Sequence, residues 1–527
     1  MKTEAQPLHW LIRTLRRSDE FFTSLFDQAF VASHNPWRHL GALAFSSLVL
    51  TIGSGIIGFA FYDTSVTGAY ESGLRLQNDP LLLGRLLRGL HRYGADACVL
   101  LMLLHVLRET VRGHYAGVRW FSWVSGIPML WMIWSAGLTG LWLLWDTRAL
   151  YSITATAEWL QALPIGAELL ARNFLNSDAL NDRFFSLIMF VHIGIPLLLL
   201  AAFWIHIKRI SHARIWPPSQ LLWTSFMMLS MLSLWQPVVS LSAADFAYVP
   251  QQMSLDWYYQ FFHPLLDWFS AATVWWIAIT ATLLLAAFPL LPSVKGSKRV
   301  AVVDLDNCNG CARCASDCPF GAISMVARSD NSHHRAQAMV DADMCAACGI
   351  CVGACPSSTP FRSIEDLVSG IELPDLTIAK LRTDLKRKMG DLSGSSAIVI
   401  FSCRQAGSYV AVSDQQTVVI ELECAAMLPP SFLEYTLRMG ALGAVVAGCR
   451  EADCEFRLGD RWVQERLIGT REPHLRTSVP RERIALCWSG SNKQAVFTTV
   501  EQLRTQTVSL DLTTFIDPRS EKTTNVE

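Results

Sequence analysis

Two apolar stretches of this chain each carry a pair of histidines at one fixed interval. Residues 84–113 contain His91 and His105, and residues 183–209 contain His192 and His206, in both cases 14 residues apart. Fourteen residues are close to four helical turns, so the two imidazoles of a stretch leave the same face, about 21 Å apart along the axis. Ionisable side chains are costly in hydrocarbon and are usually functional there. Two such helices side by side can hold two haems, each between two histidines. The alternative is that these histidines are unrelated polar residues lining a helix bundle. That explanation suits a single histidine better than two pairs at the same interval.

Glycines repeat the same interval on two other apolar stretches. Gly41 and Gly55 lie on the first stretch, and Gly126 and Gly140 on the third. Because glycine has no Cβ, each position would let a flat macrocycle approach the backbone closely.

With the segments LLRGLHRYGADACVLLMLLHVLR and GLTGLWLLWD, the chain resembles cytochrome b of the quinol-oxidising respiratory and photosynthetic complexes, from about residue 36 to residue 218. The resemblance implies that the first histidines of the two helices share one haem, His91 with His192. The second histidines, His105 and His206, share the other. Cytochromes b of this family dimerise, so a homodimer is one assembly to expect.

Six apolar stretches of about 20 residues or more predict six membrane-spanning helices. They lie near 39–62, 88–110, 121–144, 184–207, 220–241 and 266–291. Lys and Arg collect before the first stretch and after the second, fourth and sixth, which predicts cytoplasmic N- and C-termini in the inner (cytoplasmic) membrane. His91 and His192 would then lie near the outer surface. Residues 1–38 predict an amphipathic helix on the membrane surface rather than a cleavable leader.

Composition separates a membrane half from a soluble half. The chain has 51% hydrophobic residues and 19 Trp, and the excess lies before residue 293. A net charge of −1 implies no nucleic-acid partner. Thirteen of the 14 cysteines follow residue 300 in short-spaced clusters, which indicates metal sites in a reducing compartment rather than disulfides.

The connection before the sixth stretch reads SLDWYYQFFHPLLDW. Its Asp256-Trp257-Tyr258 core resembles the Pro-Glu-Trp-Tyr quinol-site motif of cytochrome b, with Leu255 and Asp256 in the first two places. The resemblance implies a quinone site in which the Asp256 carboxylate and the Tyr258 phenol relay protons at the membrane edge. The alternative is an aromatic belt, because Trp and Tyr concentrate at membrane interfaces. The chain also departs from the family by lacking its further helices beyond this point.

Eight cysteines form two runs with the spacing C-x2-C-x2-C-x3-C-P, beginning at Cys308 and Cys345. This is the spacing of a bacterial two-cluster ferredoxin, in which the fourth cysteine of each run binds the other cluster. One 4Fe–4S cube is expected on Cys308, Cys311, Cys314 and Cys355. The other is expected on Cys345, Cys348, Cys351 and Cys318. Zinc is the alternative, and the doubled pattern disfavours it.

Beyond a helical linker, strand patterns near 395–403, 416–424, 443–449 and 483–488 and a helix pattern near 429–441 predict an open α/β sheet. Such sheets bind ligands at the carboxyl ends of their strands, and four cysteines lie there: Cys403, Cys424, Cys449 and Cys454. One buried cysteine is often just a small hydrophobic residue, but four on one rim indicate a cluster. Cys98 and Cys487 are predicted to be structural.

The segment AGCREADCEFRLGDRW resembles the delta subunit of methyl-viologen-reducing hydrogenases. The resemblance implies a 2Fe–2S cluster on the four cysteines and a flavoprotein partner. Ala406 departs from the pattern, because the family often has a cysteine at that position.

The predicted fold class is therefore multidomain: an all-α transmembrane dihaem bundle, an α+β ferredoxin-like two-cluster domain and an α/β open-sheet iron–sulfur domain. The predicted parts are an amphipathic segment at 1–38, a dihaem four-helix bundle at 39–218, two further membrane helices with a quinone-site loop at 219–294, a ferredoxin domain at 295–364, a linker at 365–394, a delta-subunit-like domain at 395–500 and a tail at 501–527.

The order of these parts predicts a membrane electron-transfer subunit of a quinone-linked oxidoreductase. Two b haems, two 4Fe–4S clusters and one 2Fe–2S cluster would connect quinone to a cytoplasmic flavoprotein or to heterodisulfide-reductase-like subunits. Electrons moving from the cytoplasm to the outer haem gain about 2.3 kcal/mol per 100 mV, which favours quinone reduction. Quinol oxidation feeding a cytoplasmic acceptor, and a redox-sensing or assembly module without turnover, are the alternatives.

Overall fold

The structure, a computed structural model, describes residues 6–163, 181–247, 252–291, 299–330, 332–363, 367–390, 397–407, 409 and 416–508. The chain forms two compact units. The first comprises Met1–Lys208 and Ala213–Val294, and the second comprises Arg209–His212 and Lys295–Glu527.

The described part of the first unit is helical. Its helices are α1 (Gln6–Ala29), α2 (Leu40–Phe59), α3 (Gly68–Gln77), α4 (Leu83–Val111), α5 (Trp120–Trp142), α6 (Thr147–Gln161), α7 (Asp182–Ile207), α8 (Ser219–Trp235), α9 (His263–Trp268) and α10 (Ala271–Ala287). α2 packs along α4, and α5 packs along α7. Each helix that carries a histidine pair therefore lies against a helix that carries a glycine pair.

Four helical segments are long and apolar enough to cross a membrane by length and composition. They are Leu40–Phe59, Gly117–Trp142, Asp182–Ile207 and Ala271–Leu290, which correspond to the first, third, fourth and sixth predicted stretches. The second and fifth stretches are helical as well, as α4 and α8. α4 carries charged side chains along its length, among them Arg92, Asp96 and Arg108, and α8 has 17 residues. Six spans therefore stay a prediction.

The predicted amphipathic segment forms α1, and a buried ion cluster ties it to the end of α4. The Asp19 carboxylate accepts hydrogen bonds from Arg108 Nε at 3.2 Å and from Arg112 Nε at 2.9 Å. Trp37 Nε1 donates to it at 2.8 Å. A buried carboxylate is stable only with such partners, so Asp19 holds α1 against the end of α4 that follows His105.

The described part of the second unit contains three small sheets. β1 (Val302–Val303) pairs with β4 (Ile371–Glu372), and β2 (Ile323–Ala327) pairs with β3 (Ala336–Val340), both antiparallel. β5 (Ile398–Cys403), β6 (Thr417–Leu422), β7 (Gly443–Ala447) and β8 (Ile484–Cys487) form a parallel sheet in the order β6-β5-β7-β8. The helices are α11 (Arg313–Asp317), α12 (Ile350–Ala354), α13 (Ile378–Gly390), α14 (Pro430–Arg438), α15 (Gly459–Ile468) and α16 (Lys493–Val508).

The predicted strands and helix of the C-terminal sheet are confirmed, and all residues of β5 and β7 are buried, as expected for a parallel sheet. The helical linker predicted at 365–390 is only partly right in its described residues, 367–390. Its second half forms α13, but its first half contains β4, which pairs with β1 of the ferredoxin region. A two-residue strand is too short to show an alternating pattern in the sequence. The predicted boundary at residue 500 falls inside α16, and residues 509–527 lie outside the described part.

Candidate redox centres

The His91 and His192 side chains, on α4 and α7, face each other. Their ring centroids are 6.1 Å apart and their planes are inclined by 70°. Two metal–nitrogen bonds of about 2 Å each, together with the two ring radii, account for that separation, so one metal ion fits between the imidazoles. The Nδ1 atoms lie 2.9 Å from backbone carbonyls, Thr51 O for His91 and Ala136 O for His192. A carbonyl accepts only from a protonated Nδ1, which leaves Nε2 of both rings to bind a metal.

His105 and His206, which lie on the same two helices as the first pair, are the second predicted pair. The groups behind these rings differ from those behind the first pair. His206 Nδ1 lies 3.2 Å from Ser125 Oγ, whereas His105 Nδ1 lies 4.0 Å from the Glu109 carboxylate one turn along α4. Glu109 is held in turn by His114 at 2.7 Å. Because the partners of a ligating histidine tune the bound metal, the two pairs should give haems of different potential.

The four glycines contact the histidine rings. A Cβ added at Gly55 or Gly140 would lie 2.8 Å from Cε1 of His91 or His192. At Gly41 and Gly126 it would lie 3.4 Å from Cε1 of His105 and His206. Approach of the macrocycle, the reason expected from the sequence, is therefore not the whole explanation. The glycines already make room for the imidazoles between paired helices.

Replacing Gly55 with alanine should weaken haem binding at the His91–His192 pair. The added methyl group must displace His91, and overpacking of this kind costs about 1–3 kcal/mol. Gly53 on the same helix is the matched control, because nothing lies within 4 Å of a Cβ added there. We expect a lower haem-to-protein ratio or a shifted haem potential in the purified Gly55→Ala protein and neither change in Gly53→Ala. Equal behaviour of the two variants would contradict the proposed role of the glycine.

The loop with the quinol-site-like motif is fastened to α4. The Asp256 carboxylate accepts hydrogen bonds from the backbone N–H groups of Tyr258 at 3.0 Å and Tyr259 at 2.7 Å, and from Arg92. Arg92 directly follows His91, and its Nε also contacts Asp96 at 3.1 Å. Trp257 Nε1 donates to Asp96 at 3.2 Å. The structure thus places the Asp256 carboxylate and the backbone N–H of Tyr258 in one polar network with Arg92, the residue after His91, a network that the motif alone did not reveal.

Cys308, Cys311, Cys314 and Cys355, the first cysteine set, line a single pocket. The same pocket is also lined by Gly310 of the first cysteine run, and by Gly370 and Ile371 at the start of β4. Burial, with smaller contributions from the nearby Cys355, Cys311 and Cys308 thiols, raises the pKa of the Cys314 thiol to about 12. The fourth cysteine of the second run therefore joins the first three of the first run, as the spacing predicts.

Cys345, Cys348, Cys351 and Cys318, the second cysteine set, are also neighbours. Burial raises the pKa of the Cys351 thiol, and the Cys348, Cys345 and Cys318 thiols add to the increase. Cys348 is likewise influenced by Cys318 and Cys345. Across the described residues, no group of three or more His, Cys, Asp or Glu side chains is arranged to hold a single metal ion.

Cys403, Cys424, Cys449 and Cys454, the C-terminal cysteine set, gather beside the ends of β5, β6 and β7. Hydrogen bonding with Cys424 and then Cys449 lowers the pKa of the Cys403 thiol to about 3. The same two partners lower the pKa of Cys454. The Cys403 and Cys454 sulfurs thus both have Cys424 and Cys449 as neighbours. The four sulfurs therefore form one group. Such a group of four neighbouring thiols suits a thiolate-ligated metal centre.

Gly459 completes the C-terminal site, although the sequence had not marked it as a site residue. A Cβ at this first residue of α15 would lie 2.5 Å from Cys424 Sγ and 3.0 Å from Cys454 Sγ. The helix therefore begins directly on the sulfurs, with the positive end of its dipole towards them. The sequence feature that could have identified Gly459 is the LGDRW segment, which begins four residues after Cys454.

Three family models match consecutive parts of the chain. "Cytochrome b/b6/petB" matches residues 26–214, "4Fe-4S dicluster domain" matches residues 299–359, and "Methyl-viologen-reducing hydrogenase, delta subunit" matches residues 398–510. The matches follow the order expected from the sequence.

Individual relatives cover the first part. The menaquinol:cytochrome c reductase cytochrome b subunit of Geobacillus thermodenitrificans is 29% identical over 138 residues, which are 25% of this chain and 61% of that protein. Cytochrome b6 of Euglena gracilis is 32% identical over 163 residues, 30% of this chain and 74% of that protein. A solved structure titled "Hyperthermophilic respiratory Complex III" matches 48% of this chain and 75% of that chain at 19% identity, with a TM-score of 0.39, which is too low for a comparison of folds.

The extent of the match to cytochrome b6 shows the family, and the two further matches show what is fused to it. This chain belongs to the cytochrome b family through its N-terminal helical part, which continues into a 4Fe–4S dicluster ferredoxin domain and a methyl-viologen-reducing hydrogenase delta-subunit domain.

Proposed function

We propose that this chain is the electron-transfer subunit of a membrane-bound quinone-linked oxidoreductase and connects the quinone pool to a cytoplasmic redox partner. One observation carries the proposal: two histidine pairs, of which His91 and His192 face each other, and three groups of four cysteines occur in a single chain. A relative named for menaquinol oxidation supports quinone as the substrate class. Haem and iron–sulfur groups exchange single electrons when bound, and the contribution of the protein is to hold and tune them.

The proposed haem and cluster ligands are the histidine pairs and the cysteine sets described above. His91 with His192 and His105 with His206 would hold two b haems. The first and second cysteine sets would each hold one 4Fe–4S cluster, and the C-terminal cysteine set would hold one 2Fe–2S cluster. The proposal further includes six membrane spans with cytoplasmic termini, a flavoprotein or heterodisulfide-reductase-like partner, and a homodimer.

The quinone site would use the loop around Asp256. Burial raises the pKa of the Tyr258 phenol to about 12, so this hydroxyl stays protonated at neutral pH and can donate a hydrogen bond to a quinone oxygen. Asp256 accepts two backbone hydrogen bonds and pairs with Arg92. Its carboxylate therefore orders the loop as well, and a proton arriving from quinol must compete with the Arg92 guanidinium.

Asp256→Asn and Tyr258→Phe should each reduce quinone-dependent turnover. General acid–base groups contribute roughly a hundredfold or more, and the asparagine variant also weakens the pairing with Arg92. Tyr151→Phe is the control, because it removes a phenol on α6 outside the loop. Turnover is measured with a soluble quinone analogue at constant haem content. Unchanged turnover in both loop variants would leave a haem protein whose quinone site lies elsewhere.

The proposed direction is quinone reduction. Electrons moving from the cytoplasmic side to the outer haem travel towards the positive side of the membrane and gain about 2.3 kcal/mol per 100 mV. In sealed vesicles, collapsing the membrane potential should therefore slow quinone reduction by a cytoplasmic donor. If the rate stays the same or rises, quinol oxidation towards a cytoplasmic acceptor becomes the better description. Absence of steady turnover in either direction would favour a sensing or assembly module.

A further inference from the structure

Helix α15 connects two of the cysteine sets within the second unit. Its first residue, Gly459, lies against the sulfurs of Cys424 and Cys454 in the C-terminal cysteine set. One turn later the fully buried Trp462 donates a hydrogen bond through Nε1 to Asp317 O at 3.1 Å. Asp317 immediately precedes Cys318 of the second cysteine set. A single rigid helix therefore contacts both sites.

Arg466, on the next turn of α15, ties the two domains together. Its guanidinium is 1% exposed and donates to the Asp317 carboxylate at 2.6 Å and to Ala426 O at 2.8 Å. Ala426 lies two residues after Cys424, so the guanidinium spans from one cysteine set to the other. Arg471 binds the second oxygen of Asp317 at 2.6 Å and lies over the Trp462 ring at 3.3 Å. The carboxylate is thereby held from two sides.

Two glycines of the second cysteine run permit the backbones to touch. A Cβ at Gly353 would lie 2.1 Å from Ala426 O, and one at Gly349 would lie 2.8 Å from Met427 Sδ. Gly349 directly follows Cys348, and the Cys348 thiol is close enough to Cys454 for the two to interact electrostatically. The turn that carries the second set and the turn that follows Cys424 thus pack back to back.

The first cysteine set has different surroundings. All residues lining its pocket fall between 308 and 371, within the ferredoxin region and β4. Arg328 donates to the carbonyl oxygens of Cys308 and Leu305 beside this set. The C-terminal domain, which begins near residue 398, contributes none of the pocket's lining residues.

We propose that the C-terminal site is redox-coupled directly to the site of the second cysteine set rather than the first, and that Arg466 is the positioning residue of this coupling. The inference rests on the proposed function, which supplies the clusters. One electron moves at a time: one site is oxidised as the other is reduced, and no bond forms or breaks. Arg466 acts by fixing the separation of the sites: its ion pair with Asp317 and its hydrogen bond to Ala426 O hold the two cysteine-bearing segments together, and outer contacts of this kind tune a bound metal group.

The coupling is tested by EPR on the purified full-length chain, reduced anaerobically with dithionite. We expect the C-terminal cluster signal to show spin–spin interaction with a ferredoxin cluster. Cys345→Ala, which removes a ligand of the second set, should abolish that interaction, and Cys311→Ala, the matched change in the first set, should preserve it. The opposite pattern would overturn the inference, as would intact ferredoxin signals without a C-terminal signal. No quinone is present, so failure of quinone turnover would not alter the outcome.

The positioning role is tested without removing a ligand. An Asp317→Asn/Arg466→Gln double variant replaces both partners together, because removing one would leave the other charge buried and unpaired. We expect iron content to stay constant while the spin–spin interaction is lost and the potential of the C-terminal cluster shifts. Arg328→Gln, the control beside the first set, should leave both unchanged. If the double variant keeps the wild-type spin–spin interaction and the wild-type cluster potential, Arg466 is not a positioning residue of this coupling.

Discussion

Replacing His192 with leucine is expected to remove one of the two proposed haems and to halve the haem-to-protein ratio of the purified protein. His192 faces His91 across 6.1 Å, and leucine offers no ligand atom in its place. The haem held by His105 and His206 should remain, because those residues lie about four helical turns away on the same helices. Haem content by pyridine haemochromogen assay and the reduced optical spectrum provide the measurement.

Two further variants sharpen this test. His206→Leu should remove the other haem, so the two single variants should lose optical components of different potential that together account for the wild-type spectrum. Phe190→Leu is the control, since Phe190 lies on the same helix, two residues from His192, and its side chain is 75% exposed. Two retained haems in His192→Leu, or equal loss in Phe190→Leu, would contradict the proposed ligand pairs.

Gly459→Ala is expected to eliminate the proposed C-terminal cluster while leaving the ferredoxin clusters intact. The new Cβ would lie 2.5 Å from Cys424 Sγ and 3.0 Å from Cys454 Sγ, closer than a carbon and a sulfur can approach. Both sulfurs must therefore move away from the other two sulfurs of the C-terminal cysteine set, or α15 must shift away from them. Iron content and EPR of the reduced protein report the loss separately from the ferredoxin signals.

The matched control for Gly459→Ala is Gly390→Ala at the end of α13. Nothing lies within 4 Å of a Cβ added at Gly390, so this variant should keep all three cluster signals. Cys424→Ala removes a proposed ligand outright and should reproduce the Gly459→Ala spectrum. A C-terminal signal that survives both substitutions would mean that the cluster is bound by other residues.

Much of the architecture could be predicted because it depends on periodicity and spacing. The 14-residue intervals put two histidines on one face of each helix, and the resemblance to cytochrome b implies that His91 pairs with His192, which the structure places face to face. The spacing of the cysteine runs brings Cys355 to Cys308 and Cys314. Alternating strand and helix patterns likewise locate the parallel sheet. These features are regular along the chain, so the sequence carries them directly.

Other features depend on contacts between residues distant in sequence. The pairing of β1 with β4 uses two residues from each strand, too few to leave a pattern. The same holds for single side chains: Arg92 reaches Asp256 over 164 residues, and Arg466 reaches Asp317 over 149. An isolated arginine reads as a surface charge until the fold shows its partner. Only the packed structure identifies such residues.

The most direct test of the central claim is an anaerobic stopped-flow experiment on the full-length protein. The protein is fully reduced, freed of excess reductant and mixed with a soluble quinone analogue, while haem oxidation is followed optically and cluster oxidation by freeze-quench EPR. The account predicts that the haems and the iron–sulfur clusters are all oxidised, and that His192→Leu blocks oxidation of both. If the haems are oxidised while the clusters stay reduced, the soluble unit is not connected to the quinone pool through this chain.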